Sequence, residues 1–364
     1  MTMTETTALY RSIHAQPETV RALLADGDGP ARAAEKLART PRIFLSGIGT
    51  SYHAAIVGEY LLRLAGADAW AVRSFEFVHY PRPLRADDGV IVISHRGSKV
   101  HGQGAVQRAV EAGVTTVGIT GLGSKMSGPD PIILTVEQEV SSTHSISYVG
   151  TMTRLGQIAA RLAALYGHTE QEQRITNGLA SLPALMEGVL AREDEVRAVA
   201  QEAASHARRI YYVGAGPNAA TAPEGALKAK EASYVTAEGF ELEQAIHGPQ
   251  VAFERDDLLI PISVRGAAQE RMADFLAALS EIGPRLWLIG DLPGDESGAF
   301  FEDDTWSRFA LGDTSSLPEE LTPMLAVLPV QLLAEFLAEA RGANADSFRS
   351  DQAAYKKAGT RFRL

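Results

Sequence analysis

Short, continuously apolar runs alternate along this chain with longer stretches whose apolar residues recur every three or four positions. The first pattern suits parallel strands buried on both faces, and the second suits the helices that cover them. Arg42-Ile-Phe-Leu-Ser-Gly-Ile-Gly-Thr-Ser51 reads as a strand running into a glycine turn, with an apolar helix over about 52–65 behind it. Asp87-Asp-Gly-Val-Ile-Val-Ile-Ser-His-Arg-Gly97 is a second strand opening into a polar turn, followed by a helix to about 112 and strands over 115–120 and 132–136. The polar loop Glu139-Val-Ser-Ser-Thr-His144 then precedes a helix over about 150–166. Such strand–helix alternation predicts a doubly wound α/β unit.

The unit occurs twice. Arg42-Ile-x-x-x-Gly-x-Gly49 returns as Arg209-Ile-x-x-x-Gly-x-Gly216, and Asp87-Asp-x-x-Ile-x-Ile-Ser-x-Arg-Gly97 as Asp256-Asp-x-x-Ile-x-Ile-Ser-x-Arg-Gly266. The offsets, 167 and 169 residues, agree closely enough to mark a tandem duplication. The pattern divides the chain into an N-terminal helical segment (1–40), a first α/β domain (41–168), a charged linker helix (169–206), a second α/β domain (207–340) and a polar tail (341–364). The N-terminal segment reads as two helical pieces, over 6–24 and 31–39. A strand over 285–289 and a closing helix over 323–340 complete the second copy.

Composition narrows the functions open to such a protein. A formal net charge of −11 argues against nucleic-acid and membrane-surface partners, so an anionic small molecule would need a locally positive pocket. With no cysteine there is no disulfide, thiolate nucleophile or Cys-ligated metal. Glu5, Glu18 and Asp26 interrupt the N-terminal segment, which therefore does not read as a signal peptide, and no later run is expected to be long enough to span a bilayer. The expectation is a soluble, cytoplasmic protein.

One stretch gathers ionisable groups. In Glu224-Gly-Ala-Leu-Lys-Ala-Lys-Glu231 the residues Glu224, Lys228 and Glu231 stand at i, i+4 and i+7, on one face of a helix, and His247-Gly-Pro follows sixteen residues after Glu231. A solvated ion-pair stripe is the plain reading. The glycine turn at Gly214-Ala-Gly216 just upstream favours a ligand site, since open α/β sheets collect ligands where strands give way to helices. Motif and spacing together resemble the sugar isomerase (SIS) domain family, in particular the isomerase half of glucosamine-6-phosphate synthase, from about residue 42 to the end of the chain. The resemblance implies two tandem flavodoxin-like SIS domains. The 40 residues before the first domain leave no room for the amidotransferase domain of that synthase, so release of ammonia from glutamine is not expected.

By that resemblance Glu231 moves the proton between C1 and C2 of a sugar, Lys228 bonds the reacting oxygens, and His247 opens the ring from a neighbouring subunit. Glu224 reads as structural, holding Lys228. The synthase also has a C-terminal lysine. Lys356 and Lys357 lie near that position, with Lys357 the candidate, although an ungapped match from Asp351 lands on Ala358 and a solvated basic tail is the other reading. Gly49, Thr50 and Ser51 match the first glycine turn, and Glu139 an acidic residue that faces the sugar. The phosphate loop of the family, Ser-x-Ser-Gly-x-Thr, is altered here to Ser94-His95-Arg96-Gly97-Ser98-Lys99. Two cations at a helix N-terminus make a strong oxyanion site. Arg265 holds the matching place in the repeat, which leaves domain packing as the alternative for Arg96.

These readings converge on an aldose–ketose isomerase for a hexose with an anionic C6 group, working as a homodimer with shared sites and without cofactor or metal. Three alternatives stay open: deamination of an amino-sugar phosphate, isomerisation of a 6-sulfonated hexose such as sulfoquinovose, and a non-catalytic sugar-phosphate sensor.

Overall fold

The computed structural model describes residues 6–292 and 305–362; the first five residues of the N-terminal segment, positions 293–304 of the second repeat and the last two of the tail lie outside them. The first repeat forms β1 (Ile43–Gly47), β2 (Ala69–Arg73), β3 (Gly89–Ile93), β4 (Thr115–Thr120) and β5 (Ile132–Leu134), all parallel, in the order β2-β1-β3-β4-β5. The second forms β6 (Ile210–Gly214), β7 (Ala237–Glu241), β8 (Leu258–Ser263), β9 (Arg285–Gly290) and β10 (Trp306–Phe309) in the same winding, β10-β9-β8-β6-β7. The protein is thus α/β, with two flavodoxin-like parallel sheets flanked by helices. In such a sheet the order reverses between the first and third strands, and a crevice opens beyond their carboxyl ends. The central strands β1, β3, β6 and β8 are buried throughout, as their apolar runs require. The strands β2, β7 and β10 were not read from sequence. All three are edge strands: β7 (Ala-Glu-Gly-Phe-Glu) and β10 (Trp-Ser-Arg-Phe) are interrupted by polar or glycine positions, while β2 (Ala-Trp-Ala-Val-Arg) has only a four-residue apolar run.

Ahead of β1 lie α1 (Ala8–His14), α2 (Gln16–Leu24) and α3 (Asp28–Leu37); the first repeat adds α4 (Thr50–Leu64), α5 (Ser74–His79), α6 (Val100–Glu111) and α7 (Ile146–Leu165). The expected helix over 6–24 is broken at Ala15, because Pro17 has no N–H to return to the preceding turn. The linker is likewise two helices, α8 (Thr169–Leu190) and α9 (Glu193–His206), and Glu193, Asp194 and Glu195 suit the new N-terminus electrostatically. The second repeat carries α10 (Thr221–Ser233), α11 (Leu242–Ile246), α12 (Gln269–Ile282) and α13 (Thr322–Ala340), and the tail α14 (Ala353–Gly359). The expectation that no run could span a bilayer needs correcting. Residues Glu319–Ala340 have a mean hydropathy of 1.7 and sufficient length, but their apolar window is wholly buried as a core helix. One hydrophobic cluster runs from Leu9 to Ala345 and takes in both sheets, so the repeats share a core.

The paired motifs of the duplication meet in space. Arg42 Nε and Nη2 donate to the two oxygens of buried Asp88 at 2.8 and 2.7 Å, and Arg209 repeats this on Asp257 at 2.9 and 2.7 Å. Each fork ties the start of a sheet's first strand to the start of its third.

A buried carboxyl on α13 gives a pH test of the fold. Burial, only partly offset by the Thr7 hydroxyl donating at 2.7 Å and reinforced by Asp346, pushes Glu335 up to about 7. The folded state then holds a proton that the unfolded chain releases near pH 4.5, so this residue's contribution to stability falls as pH rises from there through 7. Glu335→Gln keeps an acceptor for Thr7 without the charge. Thermal unfolding should find it more stable than wild type by roughly 1–3 kcal/mol at pH 8 and about equal at pH 5. Equal stability at pH 8 would show that Glu335 carries no buried charge there.

Candidate active site

The crevice of the first sheet is open and forms a cavity of about 340 Å³. On one side is the turn after β1, Ile48-Gly49-Thr50-Ser51, where Gly49 has φ +54° and a Cβ on Gly47 would lie 2.4 Å from the Ser51 carbonyl group. Only glycine at these two places lets the strand turn directly into α4. Facing it is the turn after β3, with Ser94, His95, Arg96 and Lys99 in the wall and Gly97 at φ +63°. Burial and the neighbouring Arg96 lower the Lys99 pKa, and burial pushes His95 down to about 4. Among the described residues, Glu231 is the one carboxylate in the wall, so a chain of net charge −11 presents a locally positive crevice.

Glu231 reaches that crevice from the second repeat. The face of α10 predicted from spacing is buried between the repeats, not solvated. Lys228, with a side chain 1% exposed, lies 2.5 Å from Glu231 Oε2 and 3.5 Å from Glu224 Oε1. Glu224 is also bonded from α4 in the first repeat, by His53 Nδ1 at 2.6 Å and the Thr50 hydroxyl at 3.1 Å. Burial pulls the Lys228 ammonium toward neutrality, but Glu231 and Glu224 outweigh it and raise its pKa, so it stays charged. Burial raises the Glu231 pKa against the pull of Lys228. A carboxyl nearer neutrality beside a fixed cation is equipped to exchange a proton with a carbon acid. Lys228 stands behind Glu231 and not in the wall. Sequence reasoning missed His53, since nothing along the chain links it to Glu224.

Glu139 turns away from the cavity. Its carboxylate accepts the N–H groups of Ser145 and Ser147, both at 3.0 Å, and lies 3.3 Å from His144 Nδ1. Burial would raise its pKa, but His144 and these donors bring it down to about 2. His144 and Ser147 themselves line the cavity. One donor atom each of His95, Glu139 and His144 lies within 4.8 Å of the others, close enough to ask whether the set holds a metal. Hydrogen bonds account for it instead: the Glu139 oxygens carry amide N–H groups, and His95 Nε2 accepts the N–H of Glu139 at 3.3 Å.

Residues 36–161 and 204–294, well over half of the chain, match the SIS domain. This chain belongs to the SIS family. It is 32% identical over 356 residues to the glutamine–fructose-6-phosphate aminotransferase (isomerizing) of Gloeobacter violaceus, with 94% of this chain and 57% of that protein covered. It therefore spans a little over half the length of the curated relatives it matches. Among solved structures, the C-terminal domain of glucosamine-fructose-6-phosphate aminotransferase from Francisella tularensis superposes with a TM-score of 0.85 at 20% identity, covering 94% of this chain and 98% of that one. Tagatose-6-phosphate ketose/aldose isomerase from Escherichia coli gives 0.77 at 18% identity, covering 94% and 95%. At such identities the likeness concerns the fold.

The two SIS repeats are not equivalent as sites. In the second, Glu319 fills the matching crevice: a Cβ on Gly266 would lie 2.2 Å from its carboxylate, and Ala267 N–H donates to it at 3.4 Å. Arg96 and Arg265 therefore border different surroundings, one an open cavity and one a crevice holding a carboxylate. Ser98, His247 and Lys357 do not line the first-repeat cavity. The His247 side chain is 73% exposed on the turn after α11, 3.4 Å from Glu243. Lys356 and Lys357 are exposed on α14. The tail instead contributes Phe348, whose ring reaches the cavity because Phe348 and Arg349 take φ +53° and +60° and Arg349 stacks over Tyr234 and Tyr355. No motif along the chain marks Ser74, His101 or Phe348 as cavity residues, and His144, at the end of the Glu139–His144 loop, has no motif of its own.

Proposed function

We propose that this SIS protein is an aldose–ketose isomerase acting on a hexose with an anionic group at C6, through a cis-enediol intermediate. The observation that carries this reading is one cavity with a carboxyl, Glu231, only 13% exposed and with a raised pKa, in its wall together with the cations Arg96 and Lys99. Glu231 carries hydrogen between C2 and C1, Lys228 holds that carboxyl in place, and Arg96, Lys99 and the hydroxyls of Ser51 and Ser94 take the C6 anion. The arginine fork suits phosphate and sulfonate oxygens alike, so a 6-sulfonated hexose such as sulfoquinovose belongs among the candidate substrates. NMR of hexose 6-phosphates, amino-sugar 6-phosphates and 6-sulfonated hexoses incubated with the protein tests the reading. Aldose–ketose conversion supports it, loss of ammonia replaces it with a deaminase, and tight binding with no turnover leaves a sensor. A cytoplasmic setting is part of the proposal, since phosphorylated sugars are made and used there.

His247 enters the proposal through a second copy of the chain. It faces solvent with Val251, 87% exposed, on the same segment, while Ile48, Val100 and Phe348 leave an apolar rim around the cavity. Docking that segment of a partner onto the rim would bring in the ring-opening histidine and make the dimer obligate. Each of the variants Glu231→Gln and His247→Ala should then be inactive alone, while each mixed dimer regains one intact site of two, so that an equal mixture after full subunit exchange regains about a quarter of wild-type activity. A fully active monomer would rule this out.

A further inference from the structure

The proposed reaction moves more than the carbon-bound hydrogen. As hydrogen passes from C2 to C1, a proton must also reach O1 and another must leave O2, and a carboxyl occupied with the carbon cannot serve both oxygens. Resting on the isomerase reading, we propose that His144 is the acid–base residue that carries the oxygen-bound proton, and that Glu139 is its positioning residue.

The geometry assigns the ring its role. Glu139 lies 3.3 Å from Nδ1 of His144 and is fixed by the N–H groups of Ser145 and Ser147. Those donors and His144 hold the carboxyl ionised, with a pKa of about 2, against the effect of burial. An ionised carboxylate can only accept, so Nδ1 carries the hydrogen and Nε2 is left as the working nitrogen of a side chain in the cavity wall. His144 is close enough to Glu231 to lower that carboxyl's pKa.

The other histidines are placed for other duties. His95 accepts the Glu139 N–H on Nε2 and buries Nδ1, and burial lowers its pKa to about 4. His101 packs its ring on Phe75 and His79. His53 is held by Glu224 outside the wall, and His247 is in solvent. Sequence position gave no hint of the choice, because the carboxylate that orients the ring comes from five residues earlier in an irregular loop.

The step balances without a co-reactant. Protonated His144 gives its Nε2 proton to O1 while Glu231 takes the hydrogen on C2. The C2–H electron pair becomes the C1=C2 bond and the carbonyl π pair binds the new proton, which gives the enediol. Neutral His144 then takes the O2 proton as Glu231 returns hydrogen to C1, and O2 becomes the ketose carbonyl. Both residues end as they began. A carboxyl for the carbon and an imidazole for the oxygens is a division of labour known for aldose–ketose chemistry on other folds.

The test uses the full chain with the sugar found active in the NMR screen. His144→Ala and His144→Gln should each lower kcat about 10²- to 10³-fold while KM changes less than about threefold. Added imidazole should restore part of the His144→Ala loss, which a structural role would not allow. Glu139→Gln should lower kcat about tenfold, with the 15N spectrum of the His144 ring shifting to mixed tautomers. Wild-type kcat in both His144 variants, or a loss that imidazole does not restore, overturns the assignment of His144 and leaves the isomerase reading standing. Absence of aldose–ketose conversion by the wild type, with Glu231→Gln run beside it, sinks both.

Discussion

Glu231→Gln is expected to bind substrate as wild type does and to turn it over about 10²-fold more slowly or worse, the scale set by removing a positioned proton carrier. The amide keeps the shape of the side chain and an oxygen for Lys228 Nζ, now 2.5 Å from Oε2, so the packing of α10 against the first repeat survives. What is lost is the ability to take and return a proton. Burial raises the Glu231 pKa against the pull of Lys228, and Gln reproduces neither state of that balance. Single-turnover kinetics with C2-deuterated sugar, alongside equilibrium binding, separate the two effects. Unchanged turnover with the true substrate would remove Glu231 from the chemistry and return it to a packing role between the repeats.

The second large effect concerns how the sugar's anionic end is held. Arg96 and Lys99 line the cavity on the turn after β3. Burial and its neighbour Arg96 lower the Lys99 pKa, so this cation lacks solvation that an incoming anion would replace. A charge-assisted hydrogen bond contributes roughly 1.5–3 kcal/mol, so Arg96→Ala should lower kcat/KM for a C6-anionic hexose about ten- to a hundredfold. The neutral parent hexose should be nearly unaffected, and the ratio of the two kcat/KM values is the measurement. A ratio preserved in both Arg96→Ala and Lys99→Ala would assign these side chains to packing and leave Ser51 and Ser94 to anchor the anion.

Much of the architecture was legible along the chain because it depends on periodicity and on short-range chemistry. Apolar runs such as Gly89–Ile93 can be satisfied only inside a parallel sheet, and glycines at 47, 49 and 97 are demanded by turns that admit no side chain. The duplication was readable because Arg42 with Asp88 and Arg209 with Asp257 repeat a geometric requirement, the forked bond between two strand starts. The spacing of Glu224, Lys228 and Glu231 placed three ionisable groups on one face. Tertiary structure alone decided that the face is buried, that Glu224 answers to His53 and Thr50 of the other repeat, and that Glu231 looks into a cavity built mainly by the first. The same holds for the edge strands β7 and β10, whose pairing comes from a neighbour and not from their own residues, and for α13, apolar enough for a bilayer yet enclosed by protein. It holds for Glu319, which fills one crevice and leaves the open cavity to the other repeat, and for His144, which stands beside Glu139. Local sequence sets which way a chain turns and which face a side chain takes. What that face meets is set by residues tens to hundreds of positions away, and the chemistry of this site depends on those meetings.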